Sequence, residues 1–156
     1  MKKLFWSLIL VFTVMSCSSD KDDSSTDNIS DQTLTGTVEG KAFTVQGGKA
    51  FFRSSTSTEE ITIYLTNENF GCDSDIFDYT LTVNTSVPNI VGVYTDVNIV
   101  TQDGNNTPFN NLTETIVEIT AVSATEISGK MKLNKEGSEA FPESIFEGAF
   151  TVSICE

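Results

Sequence analysis

Histidine is absent from these 156 residues. That single gap removes the Ser-His-Asp triad, the Cys-His pair and the imidazole metal ligand together. Tryptophan occurs once, as Trp6 in an N-terminal apolar run, so the indole platform that stacks well on sugar rings is missing from the remainder. Tyr64, Tyr79, Tyr94 and the phenylalanines are left for that role. Arginine also occurs once, as Arg53. Positive charge is scarce altogether: 9 Lys and Arg stand against 22 Asp and Glu, for a net charge of −13. An acidic chain of this kind argues against nucleic acid as a partner and against direct docking on anionic lipid. No segment of helix-forming residues keeps a 3.6-residue apolar period, so helices are not expected.

The longest apolar stretch runs from Leu4 to Met15 behind Lys2 and Lys3, interrupted by Ser7 and Thr13. At ~1.5 Å per residue it reaches about 18 Å, short of a hydrocarbon core about 30 Å thick. A basic start, a short apolar core and a small residue at its end form the secretory pattern rather than a membrane span. Val14-Met15-Ser16-Cys17 at its end resembles a bacterial lipobox. The resemblance implies cleavage before Cys17 and lipidation of that cysteine. Removing Lys2 and Lys3 leaves a charge of −15. Ser18-Ser19-Asp20-Lys21-Asp22-Asp23 then resembles the acidic export signal of Bacteroidota surface lipoproteins, which implies the outer leaflet of the outer membrane, with the periplasmic face as the alternative. Residues 1–16 are thus expected to be a leader, 17–33 a lipidated cysteine with a disordered acidic tether, and 34–156 the folded domain. Between Ser18 and Thr33 the one large apolar residue is Ile29, too little to offset the entropy of ordering such a segment.

Lipidation of Cys17 leaves Cys72 and Cys155. In an oxidising compartment these two most simply form one disulfide, the alternative being two free thiols. Closing a loop of roughly 84 residues would contribute about 4–5 kcal/mol in the chain-entropy model. Two sulfurs without histidine make a poor zinc shell.

Period two dominates the rest of the chain. Ile61, Ile63 and Leu65 alternate with Thr62, Tyr64 and Thr66; Ile127, Gly129, Met131 and Leu133 alternate with Ser128, Lys130 and Lys132. Phe146, Gly148, Phe150, Val152 and Ile154 form the longest such series, which suits a central strand. Strands with one dry and one wet face produce this pattern. Glu39-Gly40 marks a hairpin, and Pro88-Asn89, Asp103-Gly104-Asn105-Asn106 and Ser123-Ala124-Thr125-Glu126 mark later turns. The expected fold is all-β, an antiparallel β-sandwich of eight or nine strands, with a lipocalin-like barrel as the alternative. On strand parity Cys155 falls opposite Phe150 and Val152, so a bond to Cys72 would staple the outside of the sheet. Phe51-Phe52 breaks the alternation, so one of those rings must leave the core.

Thr35-Gly36-Thr37-Val38-Glu39-Gly40-Lys41-Ala42-Phe43, Ile127-Ser128-Gly129-Lys130 and Glu147-Gly148-Ala149-Phe150-Thr151-Val152 resemble strands of small Bacteroidota lipoproteins of undefined function. The resemblance implies an all-β fold at the cell surface or in the periplasm, and transfers no catalytic or binding residue.

Site candidates therefore rest on residue chemistry alone. Asp73, Asp75 and Asp78 crowd the segment after Cys72 and could ligate calcium through oxygen, although the EF-hand spacing and glycine are missing and a solvated acidic turn has the same composition. Glu118 and Glu147 are the carboxylates whose outward strand parity could pair them for acid–base work, the one general acid–base option left. Nothing around them promises a pocket, so catalysis is not expected. Phe70, Phe77 and Phe109 fall between strands and would form a binding edge if exposed, or cap the open ends of the fold if buried. Two functions follow: a lipid-anchored, non-catalytic binding or accessory module whose partner is an outer-membrane protein or a glycan, or a small-ligand carrier with a barrel cavity.

Overall fold

A computed structural model describes residues 28–54, 57–75 and 81–156. They form an all-β domain of eleven strands: β1 (Thr35–Val38), β2 (Lys41–Thr44), β3 (Gly47–Ser54), β4 (Ser57–Thr66), β5 (Leu81–Pro88), β6 (Gly92–Thr95), β7 (Ile99–Asp103), β8 (Phe109–Asn111), β9 (Thr115–Val122), β10 (Glu126–Lys135) and β11 (Ser144–Cys155). All belong to one strongly curled sheet, whose main path of nine strands runs β6-β9-β10-β11-β3-β4-β5-β7-β8 and forms a half-barrel. The β1–β2 hairpin branches from β11.

β11 organises this arrangement. It pairs with β10 along its length, from Ser144↔Lys135 to Ser153↔Glu126. Its other edge is shared, with β1 against Ile145–Glu147 and β3 against Ser153–Cys155. The expected central position of the last strand is met. The β11–β3 contact is parallel, whereas every other strand pairing is antiparallel, so the sheet is mixed. Side-chain alternation is the same for either strand direction, which is why the sequence pattern did not reveal the parallel pair.

Both wings of the curled sheet contribute to one core. Ile61, Ile63, Leu65 and Val83 from one wing and Val117, Ile119, Ile127 and Met131 from the other share a single cluster with no solvent exposure. The sandwich-like burial expected from the sequence is thus achieved by one sheet that curls and branches. Its path starts at β6 and stops at β8, so among the described residues the barrel does not close. Phe52 packs against this core, while Phe51 turns outward and stacks on Tyr64 with ring centroids 5.6 Å apart.

The β1–β2 turn has Glu39 at φ 48° and Gly40 at φ 75°, the positive dihedrals of a two-residue hairpin whose twist matches its strands. Glutamate is unusual in the left-handed region, and tertiary bonds hold it there. The Glu39 N–H donates to Ser144 Oγ at 3.0 Å, and Thr101 Oγ1 donates to the Glu39 carboxylate. Lys41 Nζ meets Asp103 at 2.6 Å. These contacts fasten the hairpin onto β7 and the start of β11.

The domain begins earlier than the sequence composition suggested. Ile29 is buried, and Thr33 bridges Ala149 in parallel. The Ala149 N–H donates to Gln32 O at 2.7 Å and the Leu34 N–H donates to Ala149 O at 2.9 Å. Residues 28–33 therefore belong to the folded body, which corrects the expectation of a disordered tether reaching Thr33. Composition counted one apolar residue and missed the backbone ladder that β11 supplies. Gly148, at φ 142°, makes the crossing feasible: a Cβ there would run into the backbone of Leu34 and Gln32.

Candidate binding edge

Two loops carry the residues singled out from the sequence. The first follows β4. Phe70 lies in it, but its ring is buried at 8% exposure. The Gly48 N–H donates to Phe70 O at 3.0 Å, and the Lys49 ammonium sits 5.0 Å from the ring centroid. Gly47 has no room for a Cβ because the loop backbone at Glu68 and Phe70 passes directly over it. Phe70 thus caps the end of the fold and contributes nothing to an exposed edge, a correction to its candidacy. Lys49 Nζ also donates to Ser74 O at 2.6 Å, and Ser74 Oγ accepts from the Gly71 N–H at 3.1 Å.

Beside this clamp Cys72 is bonded to Cys155, with Cα atoms 5.4 Å apart. Cys72 is exposed and Cys155 half-buried, so the staple lies at the outer end of β11 as its parity implied. Asp73 and Asp75 are exposed on the same loop. Phe77 and Asp78 lie outside the described residues. Among the described residues no three or more His, Cys, Asp or Glu side chains gather as a cation site.

Glu118 and Glu147 are not brought together. They occupy β9 and β11 with β10 between them, Glu118 opposite Lys130 and Glu147 opposite Lys132. Two strand spacings plus the offset along the strands separate them by roughly 10 Å or more. Lys130 forms the hub of this outer face, 2.6 Å from Asp31 and 3.8 Å from Glu118. The Asp31 hydrogen bond and the two negative charges hold its ammonium above the ordinary lysine pKa against the opposing effect of burial. This is the electrostatics of an ion-pair cluster, which stabilises a charged lysine.

The second loop region holds an aromatic pair, half-buried Phe109 and exposed Phe141. Phe109 opens β8 opposite Thr101, and so lies on a short edge strand where the sequence suggested a loop. Its ring lies 5.1 Å from Phe141, tilted at 55°, and 5.9 Å from the Lys135 ammonium. Phe141 is 50% exposed, and Leu112, just beyond β8, is 60% exposed. The β10–β11 loop presents Phe141 on a tight turn: the Ser138 N–H donates to Phe141 O at 2.8 Å, and the Phe141 N–H donates to Ser138 Oγ at 3.2 Å. Asn111 fixes β8 from beneath, its buried amide donating to Ile99 O at 2.9 Å. Phe141 was not among the sequence candidates. Its signal was a lone aromatic beside Pro142 in the otherwise polar stretch Lys135–Glu143.

Three hollows among the described residues open to solvent. One of about 350 Å³ is lined by Thr95, Asp96, Glu114, Thr115, Ile116, Lys132 and Asn134, and others of about 280 and 200 Å³ flank β11. Interior positions such as Ile61, Ile119 and Ile127 are filled and fully buried. No protein-family model, curated protein or solved structure matches this chain.

Proposed function

We propose that this chain is a lipid-anchored lipoprotein of the cell envelope, attached through Cys17, that works as a non-catalytic binding or accessory module at the outer membrane. The observation that carries the binding role is exposed Phe141 against half-buried Phe109, with exposed Leu112 just beyond β8. Aromatic rings held at a surface by their backbone lose little entropy on contact and bury large apolar area, the usual property of an interface anchor. Lys135 beside Phe109 adds a charged hydrogen-bond donor next to the rings. That mixture suits a glycan or a loop of an outer-membrane protein. The lipobox-like Val14-Met15-Ser16-Cys17 supports the anchor, and the acidic run after it supports exposure at the surface.

Mass spectrometry of the native protein tests the anchor: residues 1–16 should be gone and acyl chains present on Cys17, and an unacylated, uncleaved chain would overturn it. Pull-down from intact membranes tests the edge. Phe141→Ala should reduce partner recovery at least ~10-fold while shifting stability by no more than about 0.5 kcal/mol, as surface substitutions do. Equal recovery with the variant would assign binding elsewhere.

A further inference from the structure

The segment that leads into the domain has a fitted seat but few contacts to keep it there. We propose that residues 28–33 are a releasable strap, which shortens the chain between Cys17 and the sheet when docked and lengthens it when freed, with the core folded throughout. The seat is specific. Gly148 leaves room for the backbone of Gln32 and Leu34, where a Cβ would strike both. Next to it Ala149 faces Thr33 in a parallel bridge and donates its N–H to Gln32 O.

What holds the strap is sparse. Ile29 is its one large apolar residue, and although buried it lies outside the cluster that both wings of the sheet share. Asp31 meets Lys130 at 2.6 Å, but the Asp31 side chain is 84% exposed, so water competes for the pair. The bond from the Gln32 N–H to Ser30 Oγ lies within the strap and ties it to nothing else. Leu34, by contrast, is fully buried in the shared cluster. The division between strap and core therefore falls between residues 33 and 34. Segments with few buried apolar contacts open locally, at a lower free energy than the core. Six residues at about 3.4 Å each add roughly 20 Å to the chain. A partner standing farther from the membrane than the docked chain reaches would draw the strap off before it unfolded the domain. The gain in reach rests on the anchor at Cys17 proposed above; release of the strap does not.

Hydrogen exchange of the full chain in detergent micelles, followed across sub-denaturing urea, tests release. Relative to intrinsic rates, the Ala149 amide should exchange at least ~100-fold faster than the slowest amides of Ile61–Leu65. Its rate should not respond to low urea, because opening the strap exposes little surface. Ile29→Ala should speed it at least ~10-fold further. An Ala149 amide that shares the rate and urea slope of Ile61–Leu65 would overturn the proposal, and so would fast exchange that Ile29→Ala leaves unchanged. Reach is read separately in lipid vesicles. Energy transfer from a dye on the domain to labelled lipid should fall in Ile29→Asp, as the domain stands up to ~20 Å farther out. Unchanged transfer would refute the lengthening. A chain that stays off the vesicles would overturn the anchor and the gain in reach together, while the exchange result decides release by itself.

Discussion

Single residues set the limits of this fold where backbones meet. Gly148 is the sharpest case, since its φ of 142° and the crossing of Gln32–Leu34 both exclude a side chain. Gly148→Val should destabilise the domain by about 3 kcal/mol or more, combining backbone strain with displacement of the Thr33–Ala149 bridge. Urea denaturation at equilibrium measures it, and a cost under 1 kcal/mol would show that the crossing can relax. Lys130 makes a separate prediction about pH. Its folded pKa is raised, first by the Asp31 hydrogen bond, so its contribution is complete below the ordinary value of 10.5 and is lost as pH climbs through the folded value. Asp31→Asn should therefore lower the thermal midpoint at neutral pH, where the contribution is complete, and flatten its fall above pH 10.5 by the same amount, a small one because the partner is largely exposed.

Elements add what residues alone do not specify. β10 and β11 were readable because each alternates over ten or more residues with a dry face. β8 was not, because Phe109-Asn110-Asn111 is three residues without a period, held by Asn111 from below. The Cys72–Cys155 pairing was foreseen from parity and count, and its role is to tie the loop after β4 to the end of β11. Replacing both cysteines with serine should cost about 2–4 kcal/mol. Hydrogen exchange should then rise at Gly71–Ser74 more than at Ile61–Leu65, since Lys49 and Phe70 still hold the base of the loop. Uniform loss of protection would mean that the staple supports the core itself.

At the scale of the whole molecule, one sheet does the work of two by branching at β11 and curling around a shared core. The N-terminal boundary belongs to that architecture. Ile29→Asp should cost about 2–4 kcal/mol by placing a charge in a buried apolar site, read as a fall in the denaturation midpoint. Were residues 28–33 merely tether, the substitution would be silent.

Alternation along each strand is a local property, so the amino-acid order alone determined the all-β class, the two-residue turn at Glu39-Gly40, the central last strand and the outward Cys155. Which edges meet is not local. The parallel seam between β11 and β3, the capture of Ile29 and the meeting of Phe109 with Phe141 depend on pairs far apart in the chain. Their selection comes from backbone hydrogen bonding and close packing in three dimensions, which carry no period to read.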